Sequence, residues 1–353
     1  AGYSITPLYS GRAPGLPGVD QINFTLPTTP PIPDGCSLLV QVQIGANVQT
    51  TAATIAKSSN DPVCHHPYAL STDQLSALQS GGTMKAAIAL VERSHGIIAV
   101  ANGQAFGTLT EKVAIQFRKF TANGSPIANQ GYAFALSQAI GVCEVAQADP
   151  HGLDFIDFID VNPAGSSPLD AGSTINLSGP GKSFDLAPGS LAKIVDGVDF
   201  PPVSTVQSAL VDGNWMFSGA GGRDIGPFSA PFTLQNQFKL SFPTAITRGQ
   251  PLTLAWSGGA NSDADTVRII MFGASLSGLN PTVICTAQAK AGTFTVPANL
   301  TSQLSNDAGA GALIAYSTVT STRFTAPLVA GGALDSGAIS VSVLEAYPTI
   351  PIH

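Results

Sequence analysis

The stretch RGQPLTLAWSGG, residues 248–259, decides the fold class. Leu252, Leu254 and Trp256 alternate with Thr253, Ala255 and Ser257. A period of two puts the three apolar side chains on one face of an extended strand, because successive Cβ atoms point to opposite sides. Gly and Pro bracket the run and mark turns at both ends. The same pattern recurs along the chain. Ile22, Phe24 and Leu26 alternate with Gln21, Asn23 and Thr25, and Val40, Val42 and Ile44 with Gln41 and Gln43. Val113, Ile115 and Phe117 alternate with Ala114, Gln116 and Arg118, and Ile339, Val341 and Val343 with Ser340 and Ser342. Strands with one buried and one wet face, separated by short turns, predict an all-β chain of sandwich type.

Helix signals are few. Residues 70–82 carry a capping pattern, with Ser71 as cap, Gln74 three residues on, Leu75 and Leu78 as a short apolar face and Gly81 as terminator. Residues 297–306 predict a second short helix, and residues 190–195 a weaker third.

Composition narrows the function classes. Of 353 residues only 10% are charged, against roughly 25% for an average domain. A surface with so little charge has little repulsion to hold copies apart and favours packing against other protein. Gly 37 and Pro 26 are high counts but stay below the range of structureless chains, about 25–30%. The net charge is −7, and the densest basic run, FRKF at 117–120, lies inside a strand-like segment, so no nucleic-acid footprint is expected. No apolar run reaches the ~20 residues that span a bilayer. The sequence opens without Met or a signal peptide, which reads as a mature, exported product.

The four cysteines, Cys36, Cys64, Cys143 and Cys285, form no CxxC pair. Three pairings are possible. Cys36–Cys64 is the expected disulfide; it closes a loop of about 29 residues and is worth roughly 3.6 kcal/mol by chain entropy. Cys143 and Cys285 are expected as buried free thiols.

Candidate chemistry is sparse. Cys64-His65-His66 is metal-like in composition, but neighbours on an extended segment point apart and cannot converge on one ion. Asp154, Asp157 and Asp160 are interrupted by bulky Phe155, Ile156, Phe158 and Ile159, without a calcium-loop pattern. SGAGGRDIG, residues 218–226, has Asp224 where a dinucleotide fingerprint needs its third Gly, and a strand-like run follows, so a Gly-rich turn is expected. No GxSxG elbow occurs. His95 and His151 read as turn residues, and Trp215 and Trp256 as core. The reading is therefore of a chain with no cofactor, no metal, no catalytic residues and no small-molecule substrate.

The segment PLYSGRAPGLPGVDQINFTLP, from Pro7, resembles the signature of an Ig-like module in secreted acidobacterial proteins, through Tyr9, Gly11, Ala13, Pro14, Gly15, Gln21, Asn23 and Pro27. Residues 167–181 and 217–234 are similar to hairpins of a following β domain in that family, and residues 248–259 and 285–304 to its C-terminal Ig-like domain. The resemblance implies tandem Ig-like β-sandwich domains with a few short helices, and it brings no catalytic residues. The expected division is 1–66, a partial Ig-like module; 67–145, a β domain with one short helix; 146–235, a β-sandwich; and 236–353, an Ig-like sandwich with an extended tail.

In that family the Tyr-x-Gly-x-Ala-Pro-Gly turn stands mid-module, whereas only about eight residues precede it here. Half a sandwich leaves strand edges unpaired. The second domain could cover them, the upstream half could have been removed, or a neighbouring copy could lend a strand. The tail YPTIPIH, with Ile350 and Ile352 alternating around Pro351, suits the third option. The expected assembly contacts are Ile22, Phe24, Leu26, Tyr347, Ile350 and Ile352. The function that follows is a secreted, non-enzymatic subunit of a filament, sheath or surface layer that partners copies of itself. A monomeric adhesive or carbohydrate-binding protein is the second reading, and a hydrolase with an unrecognised triad the third.

Overall fold

The structure is a computed structural model that describes residues 5–15, 20–26, 35–44, 47–57, 82–101, 104–121, 141–148, 166–199, 207–235, 238–258, 265–273, 280–304, 312–346 and 350–353. It is an all-β chain of sandwich type. Near its start stand two ribbons: β1 (Tyr9–Arg12) pairs antiparallel with β2 (Asp20–Asn23), and β3 (Gly35–Ile44) with β4 (Asn47–Lys57).

The largest layer is a nine-stranded sheet. It contains β5 (Thr83–Ala101), β6 (Gln104–Thr121), β7 (Val142–Ala148), β8 (Ser166–Pro168), β11 (Leu191–Asp199), β16 (Thr266–Gly273), β17 (Asn280–Gln288), β19 (Ala312–Arg323) and β20 (Ser336–Ala346). Its order is β11-β6-β5-β20-β19-β16-β17-β7, with β8 also on β6. Every pairing in it is antiparallel except β20 on β5. Two smaller sheets cover one of its faces. The first is β10-β9-β12-β13, from β9 (Ile175–Gly179), β10 (Lys182–Leu186), β12 (Gly213–Gly219) and β13 (Phe228–Leu234). The second is β14-β15-β18, from β14 (Lys239–Ser241), β15 (Leu252–Ser257) and β18 (Thr293–Val296). A single-turn helix, α1 (Ala298–Thr301), follows β18 where the sequence predicts one.

Each small sheet seals a core against the large one. Under the four-stranded sheet, Val113, Ile115, Phe117, Ile339 and Val341 meet Ile175, Leu177, Trp215, Phe217 and Phe232. Under the three-stranded sheet, Ile269, Met271, Val283, Ile314 and Tyr316 meet Leu254, Trp256, Phe294 and Val296. Both tryptophans are core, as expected. The buried indole N–H groups are satisfied: Trp215 Nε1 donates to Val211 O at 2.9 Å and Trp256 Nε1 to Ala289 O at 2.7 Å. Trp215 lies so close to Gly179 that a Cβ there would fall inside its ring, so this position requires glycine.

Several expectations are corrected. The borders at 145/146 and 235/236 cut through one sheet, because β6, β7, β11, β16 and β20 all belong to it. In the large sheet the second face is buried too: Ala114, Gln116 and Arg118 are as enclosed as Val113, Ile115 and Phe117, and Glu92 and Lys112 lie opposite each other on that face. Alternation therefore reports chemistry here, not exposure. Residues 190–195 enter β11 rather than a helix, since Ala192 and Ile194 pack on the first core. His95 lies within β5 rather than in a turn. Cys143 and Cys285 are bonded to each other, not free. They are opposed residues of β7 and β17, with Cα atoms 3.9 Å apart, a proximity that spacing along the chain cannot reveal. The helix expected over 70–82 falls, apart from Gly82, outside the described residues, as do His65, His66, His151, Asp154, Asp157 and Asp160.

Three turns meet beside the first core. Asp224 Oδ2 accepts the Asp170 N–H at 2.8 Å, Asp170 O accepts from Asp224 and Ile225, and Asp224 O accepts from Val329 at 3.0 Å. The Asp170 backbone hydrogen bond holds the Asp224 carboxyl below its ordinary value, opposed by desolvation and aided by the Arg223 charge. A depressed carboxylate stabilises the fold fully above its unfolded value, near pH 4, and that contribution is lost as pH falls through the lower folded value. Asp224→Asn is thus expected to flatten the acid limb of stability below about pH 4. Urea titrations at pH 3 and pH 7 check this: the variant's deficit should be present at pH 7 and shrink at pH 3.

Candidate functional site

The features that remain outside the two cores are strand edges, and physics makes edges reactive. An open edge presents unpaired N–H and C=O groups to any strand that can reach them. The edges of the sandwich are guarded. The outer strand β7 carries Glu144, β11 carries Lys193 and Asp196, β10 carries Lys182 and Asp185, β14 carries Lys239, and β13 has Pro231 at its centre. The four-residue β18 is short and runs into Pro297. Charges, prolines and short strands all block edge-to-edge pairing.

The β3–β4 ribbon is the least guarded: its one charge is Lys57, the last residue of β4, and its register shifts between Gly35 and Leu38 and between Val40 and Val42. No charged residue occurs from Gly35 to Ala56. Each strand pairs only with the other among the described residues, through a register that runs from Gly35 opposite Lys57 to Ile44 opposite Asn47. A two-stranded ribbon of β-favouring residues is marginal alone and gains from a third strand.

The β1–β2 ribbon is shorter and carries an apolar face. Ser10 opposes Ile22, so Leu8, Ile22 and Phe24 share one side. Leu8 is 76% exposed and Ile22 38%, while Phe24 and Leu26 are half-buried. This corrects the expectation that Ile22 points into a core. Tyr9 and Gln21 lie on the other side, and Tyr9 OH donates to Arg12 O at 2.8 Å.

The tail reverses the other expectation. Ile350 and Ile352 are 6% and 8% exposed and belong to the second core of their own chain. The segment lies between two rows of backbone. Ile350 exchanges both hydrogen bonds with Ala312, at 2.7 and 2.8 Å. Ile246 donates to Pro351 O, His353 donates to Ile246 O and Arg248 donates to His353 O, at 2.8, 2.8 and 2.9 Å. The groove is braced in turn, since Arg248 Nη2 donates to Ser302 O and Thr301 Oγ1 to Gln250 O, both at 2.8 Å. The tail is a short added strand already in place, not an unpaired one. Tyr347 lies outside the described residues, as does the Cys36–Cys64 bridge, of which only the Cys36 backbone in β3 is described.

The structure also shows an anchor that sequence reasoning missed. Glu111 is fully buried, and its carboxylate accepts from the backbone N–H of Ala209 and Leu210 and from Ser208 Oγ. Its cross-strand neighbour Arg93 donates to Leu210 O at 2.8 Å and pairs with Asp212 at 2.7 Å. The two charges pin the turn that leads into β12. In the sequence, the signal was a charged residue at a position whose parity matches Val113 and Ile115.

Gly219 ends β12, Gly221 and Gly222 lie in the expected Gly-rich turn, and the strand β13 follows it. Among the described residues, no group of three His, Cys, Asp or Glu side chains could hold a metal, and no helix is long and apolar enough to cross a membrane. Comparison with protein-family models finds no match, and comparison with curated proteins finds none.

Proposed function

We propose that this chain is a secreted, non-enzymatic structural protein whose copies assemble by adding strands to one another's exposed edges. One observation carries the reading: β3–β4 is a long ribbon with no charge before its terminal Lys57 that pairs with no other described strand, in a molecule whose other edge strands are charged along their length, prolinated or short. Unguarded edges of this kind add strands from other chains. The exposed Leu8 and Ile22 of the β1–β2 ribbon supply further apolar area for contact between copies. The Cys143–Cys285 bridge agrees with an oxidising compartment. Head-to-tail addition that does not close on itself gives a filament or sheath rather than a ring.

A gatekeeper substitution tests the proposal. Thr51→Lys with Ala53→Lys places two charges in β4, where edge pairing is expected. Electron microscopy and light scattering should show loss of large assemblies, while circular dichroism and the thermal midpoint of the sandwich stay near those of the parent. Assemblies of unchanged size and amount in the double variant would remove β3–β4 from the mechanism.

A further inference from the structure

One sequence motif plays no part in either core or in the edges. It is the sequon Asn-x-Ser/Thr, which accepts a sugar chain on exported proteins where it stands at the surface. It occurs at Asn23 (NFT), Asn123 (NGS), Asn176 (NLS) and Asn299 (NLT). Asn123 lies outside the described residues. Burial and hydrogen bonding separate the other three. Asn176 is half-buried within β9, and its Nδ2 is already engaged, donating to Ser183 Oγ at 2.7 Å and to Asp185 Oδ1 at 3.1 Å. Asn299 is exposed, but the hydroxyl of its sequon belongs to Thr301, which is fully buried and donates to Gln250 O at 2.8 Å. At Asn23 both parts of the motif are open, since Asn23 and Thr25 are each exposed. Gln21 Nε2 donates to Asn23 Oδ1 at 2.7 Å, which occupies the amide oxygen and leaves the nitrogen to solvent. β2 ends at Asn23, so Phe24 and Thr25 lie beyond the β1–β2 ladder, where an enzyme can reach their backbone.

We infer that Asn23 is a glycosylation site and carries an N-linked oligosaccharide on the native protein. The inference rests on the secreted part of the reading above and is independent of assembly. The donor is an oligosaccharide on a polyprenyl pyrophosphate. Asn23 Nδ2 attacks the anomeric carbon and the N–C bond forms. The bond from that carbon to the pyrophosphate oxygen breaks, the amide gives up one proton, and the lipid pyrophosphate leaves. The position of Asn23 gives the sugar a physical consequence. Tyr9, Gln21 and Asn23 share the polar side of the ribbon, and Leu8, Ile22 and Phe24 the apolar side. A glycan on Asn23 covers the first side and leaves the second open. It also brings uncharged hydration to a chain of which only 10% is charged.

Peptide mapping of the full chain, purified from the cells that make it and digested without reduction, tests this. The expected result is an oligosaccharide mass on the peptide that holds Asn23, placed on that residue by its fragment ions, with Asn176 bare. Thr25→Ala made in the same cells should lose the mass, and Thr25→Ser should keep it; both change an exposed residue, so the fold is little disturbed. A bare Asn23 in the native material overturns the inference. So does a sugar that survives Thr25→Ala, or one found on Asn176 or Asn299 with Asn23 bare. The unreduced map also separates this inference from the reading it rests on. Bare Asn23 with Cys143 and Cys285 linked sinks the glycan and leaves secretion standing, whereas bare Asn23 with the two cysteines unlinked sinks both.

Discussion

Replacing Cys143 and Cys285 together by Ser is expected to lower the unfolding free energy by about 4–5 kcal/mol. The residues are 142 apart in sequence, and closing a loop of that length removes roughly 5 kcal/mol of chain entropy from the unfolded state. For a chain of this size that is a fall of about 6 °C in Tm. The loss should have a location. β7 ends the nine-stranded sheet and, among the described residues, has a single strand neighbour, β17. Its remaining hold is one antiparallel ladder and the enclosed position of Cys143 in the second core. Hydrogen exchange should rise most at Val142–Ala148 and along β17, above the general rise at core amides of β5 and β6 that exchange by global unfolding. Uniform exchange across both cores would show that the bridge acts on the whole molecule rather than on its edge.

The second large effect is expected from Glu111→Ala, at about 3–5 kcal/mol. The change leaves the buried N–H groups of Ala209 and Leu210 without an acceptor, and each such group costs about 1–3 kcal/mol. Arg93 keeps its partner Asp212, so the loss falls on the backbone N–H groups of the turn. Trp215 reports on the damage, because its Nε1 donates to Val211 in the same turn. Its fluorescence should shift to the red before global unfolding in a denaturant titration. Glu111→Gln keeps an acceptor oxygen and should recover part of the loss. Equal destabilisation by Ala and Gln would mean that charge, not hydrogen bonding, is what the site requires.

The legible parts of the fold were those decided by local pattern. β15 was readable because Leu252, Leu254 and Trp256 face a core while Thr253 and Ser257 face water. The turn at Pro297 that opens α1 was readable from its residues. What sequence could not supply was pairing over distance. β5 lies parallel to β20, some 250 residues away, and nothing local in either strand encodes that choice. The same gap hid the Cys143–Cys285 bridge and the borders that one sheet erases. Burial of both faces of β6 was hidden for a different reason. Gln116 and Arg118 read as wet because of their chemistry, and a large sheet enclosed on two sides overrides that signal.

The candidate site divides in the same way. The uncharged run in β3–β4 and the alternating tail were both visible in the sequence, because edge protection is written in charge and proline. The tail's occupant groove was not visible, since it is made by Ile246 and Ala312 from distant segments. Ile22 was misplaced because alternation gives a shared face and says nothing of what the face meets. In the β1–β2 ribbon that face is largely open.

The central claim is that open edges make this chain assemble, and the sedimentation behaviour of the unaltered protein tests it most directly. Analytical ultracentrifugation over a hundredfold range of concentration should show the 35.9 kDa chain passing into large, open-ended species without a preferred closed size. A single 35.9 kDa species across the whole range, at every salt concentration tried, would contradict the account.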